Sequence, residues 1–218
     1  MVKKLFVFAL TVFLLAAAGC HPNAIDSTGY TIVDATNASL DNKSSVDYPQ
    51  ISTPDNAYAA VNALIYSEAD ELLQDAQAGA VVNIGYSVTL ANDTYISVLF
   101  EGTVVASGAA HPTNIIRAVT VSLQEKQPVT PLTTETVDEA FIAQFKAQLP
   151  ASREEERFTD QEWQDIITYF QGLSDEDLRH MILDGETALT QDGVLIGIDV
   201  PHAVGDYIKV SVKGERGF

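Results

Sequence analysis

Residues 80–106 read AVVNIGYSVTLA, then ND, then TYISVLFEGTVVA. In the first arm Val82, Ile84, Tyr86, Val88 and Leu90 recur at every second position, the period of a strand with one buried face. Asn92 and Asp93 supply a turn, and Thr94 to Ala106 returns as an antiparallel partner. After a loop from Ser107 to Asn114, Ile115 to Leu123 forms a third strand, with Ile115, Val119, Val121 and Leu123 on one parity. An antiparallel sheet is therefore expected at the centre of the fold.

Working outward, Pro54, Asp55 and Asn56 precede a helix that runs to about Gln77 and is stopped by Gly79. Its residues Val61, Leu64, Ile65, Leu72 and Leu73 recur at helical spacing and are expected in the core. Downstream, Glu135 to Leu149 reads as a helix facing inward through Val137, Phe141, Ile142 and Phe145. Thr159 and Glu162 form a capping box ahead of a stripe of Trp163, Ile166, Ile167 and Phe170. Ser174 caps a further short helix to about Ile182. The chain closes with Glu186–Thr190 paired to Gly193–Val200 across Gln191 and Asp192, and a last strand from Asp206 to Val212. The expected class is α+β, an antiparallel sheet packed against two to three helices.

The chain has 218 residues, of which 46% are apolar and 19% charged, so it can bury a substantial core. Twelve cations against thirty anions give a formal charge of −18. Such a surface repels phosphate backbones, which excludes nucleic-acid binding. The same charge steers encounter with basic partners, and it also keeps a protein soluble. A single cysteine excludes an internal disulfide framework and a cysteine-rich zinc site.

That cysteine stands where a signal needs it. Lys3 and Lys4 precede an apolar run, Leu5 to Leu15, too short to span a bilayer permanently. The run ends in Ala16, Ala17, Ala18, Gly19 and Cys20, the pattern of a bacterial lipoprotein signal. Residues 1–19 are expected to be cleaved between Gly19 and Cys20, with lipid added to the Cys20 thiol. The chain would then reside at the bacterial cell envelope, lipid-anchored on the outer side of the cytoplasmic membrane or in the outer membrane. Residues 20–45, rich in Asn, Ser, Thr and Asp, read as a flexible tether with a short strand near Tyr30–Val33. Residues 46–213 form a single α+β domain, and 214–218 a C-terminal tail.

Candidates for chemistry are few. His111 lies in a glycine-containing loop with Gly108 and Pro112; it is a general base, a ligand contact, or a ring that fixes the turn. His202 lies near Asp199 and Asp206, a set that suits either a cation or the capping of a turn. His180 beside Asp177 and Arg179 belongs to a solvated helix face. Glu154–Glu156 and Ser174–Asp177 read as solvated charge runs. Tyr86, Tyr95, Tyr169 and Tyr207 would stack on sugars if exposed together. No Gly-x-Ser-x-Gly, His-Glu-x-x-His, phosphate-loop or dinucleotide fingerprint occurs, so neither catalysis nor a cofactor or metal is expected.

Three stretches carry a resemblance. Tyr48-Pro49-Gln50-Ile51-Ser52, followed by the helix with Val61-Asn62-Ala63-Leu64-Ile65, is one. The hairpin Ile96–Gly102 with Gly108-Ala109-Ala110-His111-Pro112 is the second and most specific. Val121-Ser122-Leu123 leading to Pro128–Leu132 extends the second, and the third is Leu189–Leu195 with Pro201–Asp206. Together they resemble a bacterial extracytoplasmic domain family found in lysozyme-sensing anti-sigma factors, beside some peptidoglycan deacetylase domains, and as stand-alone lipoproteins. The resemblance covers residues 46–213. It implies a non-enzymatic binding or sensing domain whose partner is a basic, lysozyme-like protein. A peptidoglycan or carbohydrate-binding module is the alternative, and an envelope hydrolase using His111 or His202 the third.

Overall fold

The long hairpin forms as its alternation demands. In the computed structural model, which describes residues 29–77 and 79–214, Val81–Ala91 and Tyr95–Val105 pair antiparallel over their whole length. Asn92 holds the turn, its Oδ1 accepting the amides of Thr94 and Tyr95 at 2.8 Å each. In chain order the elements are β1 (Thr31–Ala38), β2 (Ser45–Ser52), α1 (Ala59–Gln77), β3 (Val81–Ala91), β4 (Tyr95–Val105), β5 (Thr113–Ser122), α2 (Glu139–Gln148), α3 (Asp160–Gly172), α4 (Asp175–Asp184), β6 (Glu186–Thr190), β7 (Gly193–Asp199) and β8 (Tyr207–Lys213). The fold is α+β. The strands form two sheets, β1-β2-β3-β4-β5 and β6-β7-β8. One pair, β2 with β3, is parallel, because α1 carries the chain back between them.

Layers stack in the order α1, large sheet, small sheet, α2–α4. Val61, Ile65, Ala69 and Leu72 of α1 pack on Val82, Ile84, Val98 and Phe100. On the other side, the face of β7 and β8 bearing Ile196, Ile198, Val210 and Val212 packs on Phe141, Phe145, Trp163 and Phe170. Between the sheets lie Leu99, Ile116, Ala188 and Tyr207. Gly197 lets them approach, since a Cβ there would meet Ile116 Cδ1 at 2.6 Å. Buried Ser97 bridges them too: its hydroxyl accepts the Leu189 amide at 2.9 Å and bonds Thr120 Oγ1 at 2.7 Å.

Four details depart from expectation. A bulge between Val88 and Leu90 shifts the register, so Leu90 leaves the α1 face and joins the core beneath α2–α4. Helix α1 begins at Ala59, after a turn in which Thr53 Oγ1 accepts the Ala57 amide. Leu64 is half-buried at the flank of that helix, whereas Ile65 is fully buried. Within the expected tether, Thr31–Ala38 is a full strand paired to β2 residue for residue. Its polar sequence buries little, and side-chain bonds hold it: Asn37 donates to Asp70 at 2.9 Å, and the Tyr86 hydroxyl donates to Asp34. Cys20 and the signal segment lie outside the described residues.

Candidate functional site

The β4–β5 loop turns on an Ala109 N–H to Ala106 C=O bond of 3.0 Å, with Gly108 at φ +81°, where glycine is favoured. Gly108, His111 and Pro112 are all exposed. Among the described residues nothing receives or donates a hydrogen bond at the His111 ring. The expected stitch between that ring and a backbone or carboxylate oxygen is therefore not made.

Asn114, expected at the end of the loop but in fact the second residue of β5, does the stitching. Asn114 donates its backbone N–H and its Nδ2 to Asp206 Oδ2, at 2.8 and 2.9 Å. Asp206 Oδ1 lies 2.6 Å from His202 Nδ1. The structure thus joins the two sequence-predicted loops through Asn114. Asp206 adopts φ +74°, which Asp tolerates better than most side chains. Burial acts to raise its pKa, but the Asn114 N–H groups and His202 outweigh burial and hold it below its ordinary value. An imidazole oriented by a carboxylate can accept a proton at its other nitrogen. Among the described residues no group of three or more His, Cys, Asp or Glu side chains converges as a metal site.

Behind this turn a charged network ties the layers. Arg157 lies over the Tyr207 ring at 4.0 Å and donates to the carbonyls of Gly205 and Tyr207 at 2.9 and 3.0 Å. Glu154 pairs with both Arg157 and Lys209, at 2.8 and 2.9 Å. Lys209 also meets Glu101 at 2.6 Å, and Glu101 accepts the Tyr207 hydroxyl at 2.9 Å. Burial would lower the Lys209 pKa, yet the two carboxylates more than offset it and hold it above its ordinary range. Glu154 is therefore a bridging residue and not part of a solvated run; no local sequence signal marks a partner 55 positions away.

An open groove of about 380 Å³ lies between α1, β5 and β6. Leu64, Ser67, Glu68 and Glu71 form one wall, Val129–Pro131 another, and Glu186 closes the end. Two of these carboxylates pair with Arg117 of β5, which lies 3.0 Å from Glu186 and 3.6 Å from Glu68. Burial raises the Glu68 pKa against the pull of Arg117, with Glu71 and Glu186 adding to the rise. The sequence held one clue. Arg117 sits on the apolar parity of β5, between Ile115 and Val119, so it needed acidic partners on the facing helix.

Of the four tyrosines, Tyr169 alone is exposed; Tyr207 is buried and Tyr86 and Tyr95 half-buried, so they form no shared platform. His180 is exposed on α4, as its helix face implied.

No family model and no curated protein matches the chain. Among solved structures, it is similar to a member of the DUF3298 family from Bacteroides fragilis, at 13% identity and a TM-score of 0.46, over 84% of this chain and 88% of that one. It is also similar to a DUF3298 family protein from Pseudomonas aeruginosa, at 12% identity and a TM-score of 0.44, with the same coverage of each chain.

Proposed function

We propose that the chain is a lipid-anchored, non-enzymatic recognition domain of the bacterial cell envelope, and that its partner is a basic protein such as a lysozyme-like enzyme. The observation that carries this reading is the groove where Glu68, Glu71 and Glu186 meet. Three carboxylates line it, two of them sharing the single guanidinium of Arg117, and Glu68 is poorly hydrated there. An incoming lysine or arginine supplies the missing charge. The formal charge of −18 adds long-range attraction for such a partner, and Cys20 supplies the anchor.

The test is a binding panel on the immobilised full chain: a lysozyme-like cationic enzyme, soluble peptidoglycan fragments, and an acidic protein of similar size. Binding to the cationic enzyme alone is expected. Retention of the glycan fragments in its place would replace this reading with the carbohydrate-binding one.

The His202–Asp206 pair favours a second reading, an envelope hydrolase with His202 as general base and Asp206 as its orienting group. Turnover of glycan or peptide substrates that disappears with His202→Gln, while stability is kept, would establish it.

A further inference from the structure

β5 is the last strand of the large sheet, and the chain itself fills much of its free edge. Asp206 takes the amide of Asn114, and Glu186 Oε2 takes that of Ala118 at 2.9 Å. Val129 N–H meets the Thr120 carbonyl at 2.8 Å, and the Ser122 amide meets the Gln127 carbonyl at 3.0 Å. These bonds fix which groups point outward. In a strand, the N–H and C=O of one residue face the same side, so the Ala118 carbonyl and the Thr120 N–H also face this edge. Among the described residues neither has a hydrogen-bond partner.

Proline explains why the Ala118 carbonyl is left open. The bridge between Val121 and Pro128, continued in register, brings Pro131 opposite Ala118. Pro131 has no N–H to give to the Ala118 carbonyl, and the segment leaves the edge there, opening the groove. Thr120 is only 2% exposed, so its amide is a buried donor at the groove floor. Such a donor is costly to leave unsatisfied.

We propose that the groove binds an extended basic segment of a protein partner by strand addition to β5. One residue of a segment running parallel to β5 satisfies these two groups, giving its N–H to the Ala118 carbonyl and its C=O to the Thr120 N–H. The Glu186 cap on Ala118 stays in place. Lysine or arginine side chains of the segment then reach Glu68 and Glu71 on the α1 wall. This inference rests on the basic-partner reading above and adds the binding mode.

The test uses the full chain in mild detergent with two probes of equal charge, octa-lysine and fully N-methylated octa-lysine. Only the first can donate backbone hydrogen bonds. Titration is followed by affinity and by the amide resonances of Ala118 and Thr120. Octa-lysine is expected to move the Thr120 amide downfield and to bind at least tenfold more tightly than its methylated form. Glu71→Lys, an exposed α1 substitution, is expected to weaken octa-lysine at least tenfold with unchanged melting. Equal affinity of the two peptides with an unmoved Thr120 amide overturns strand addition. If a lysozyme-like enzyme binds wild type and Glu71→Lys equally, the groove inference falls and the basic-partner reading rests on the net charge of −18 alone. If neither the enzyme nor octa-lysine binds, both fall.

Discussion

Replacing Asp206 by Asn isolates one charge at the joint between the start of β5 and the Pro201–Asp206 turn. Asn tolerates the left-handed backbone as Asp does, so φ +74° contributes little to the difference. Sterically the side chains match. The carboxylate accepts from the Asn114 backbone and side chain on one oxygen and faces His202 on the other. The amide keeps one acceptor, loses the charge, and turns an NH₂ toward one of these groups. Exchanging a charged acceptor for a neutral one at a side chain that is 10% exposed should cost about 1–2 kcal/mol. Urea unfolding at pH 7 reads that cost as a lowered midpoint at constant slope. The folded pKa of Asp206 lies below its ordinary value of 3.8. Its stabilisation is therefore complete above the unfolded value and is lost as pH falls through the folded one. The gap between wild type and Asp206→Asn should thus be full at pH 7 and close in strong acid. A gap near zero at pH 7, or one that stays undiminished however far the pH falls below the ordinary carboxylate range, would contradict this reading of Asp206.

Ile65→Ala should cost about 2–5 kcal/mol, and the neighbouring half-buried Leu64→Ala clearly less; equal losses in denaturant melts would contradict the phase of α1. His111→Gln should leave stability within about 0.5 kcal/mol, since the exposed ring bonds nothing among the described residues; a drop near 1 kcal/mol in the same melts would show a stitch after all. Cys20→Ala should abolish incorporation of an alkyne fatty acid in growing cells, and equal labelling of wild type and variant would remove the anchor from the account.

What could be read in the sequence was what local physics determines. The Thr159–Glu162 box sets the start of α3, and the stripe of Trp163, Ile166, Ile167 and Phe170 sets its buried face. Ser174 likewise caps α4. The β6–β7 hairpin follows from its two-residue turn. Periodicity failed where geometry breaks it: the even-numbered run from Val82 to Leu90 looks continuous, but the extra residue at the bulge sends Leu90 to the other core. Composition failed for β1, whose Thr, Asp and Asn look like linker yet pair edge to edge with β2. The candidate site was legible only as its two loops. Asn114, which joins them, and Glu154, which bridges Arg157 to Lys209, act through partners 92, 3 and 55 positions away. Only the nearest of those distances leaves a trace in local sequence. The Glu68, Glu71 and Glu186 groove has the same character, since α1 and β6 meet across β5 only in the folded chain.

The most direct measurement is a calorimetric titration of a lysozyme-like cationic enzyme into the full chain, run on wild type and Glu71→Lys at low and at physiological salt. Saturable binding to wild type is expected, weakening at least tenfold on charge reversal, a loss of about 1.4 kcal/mol, and weakening again as salt screens the groove. No binding, or binding indifferent to both Glu71→Lys and salt, would contradict the basic-partner reading.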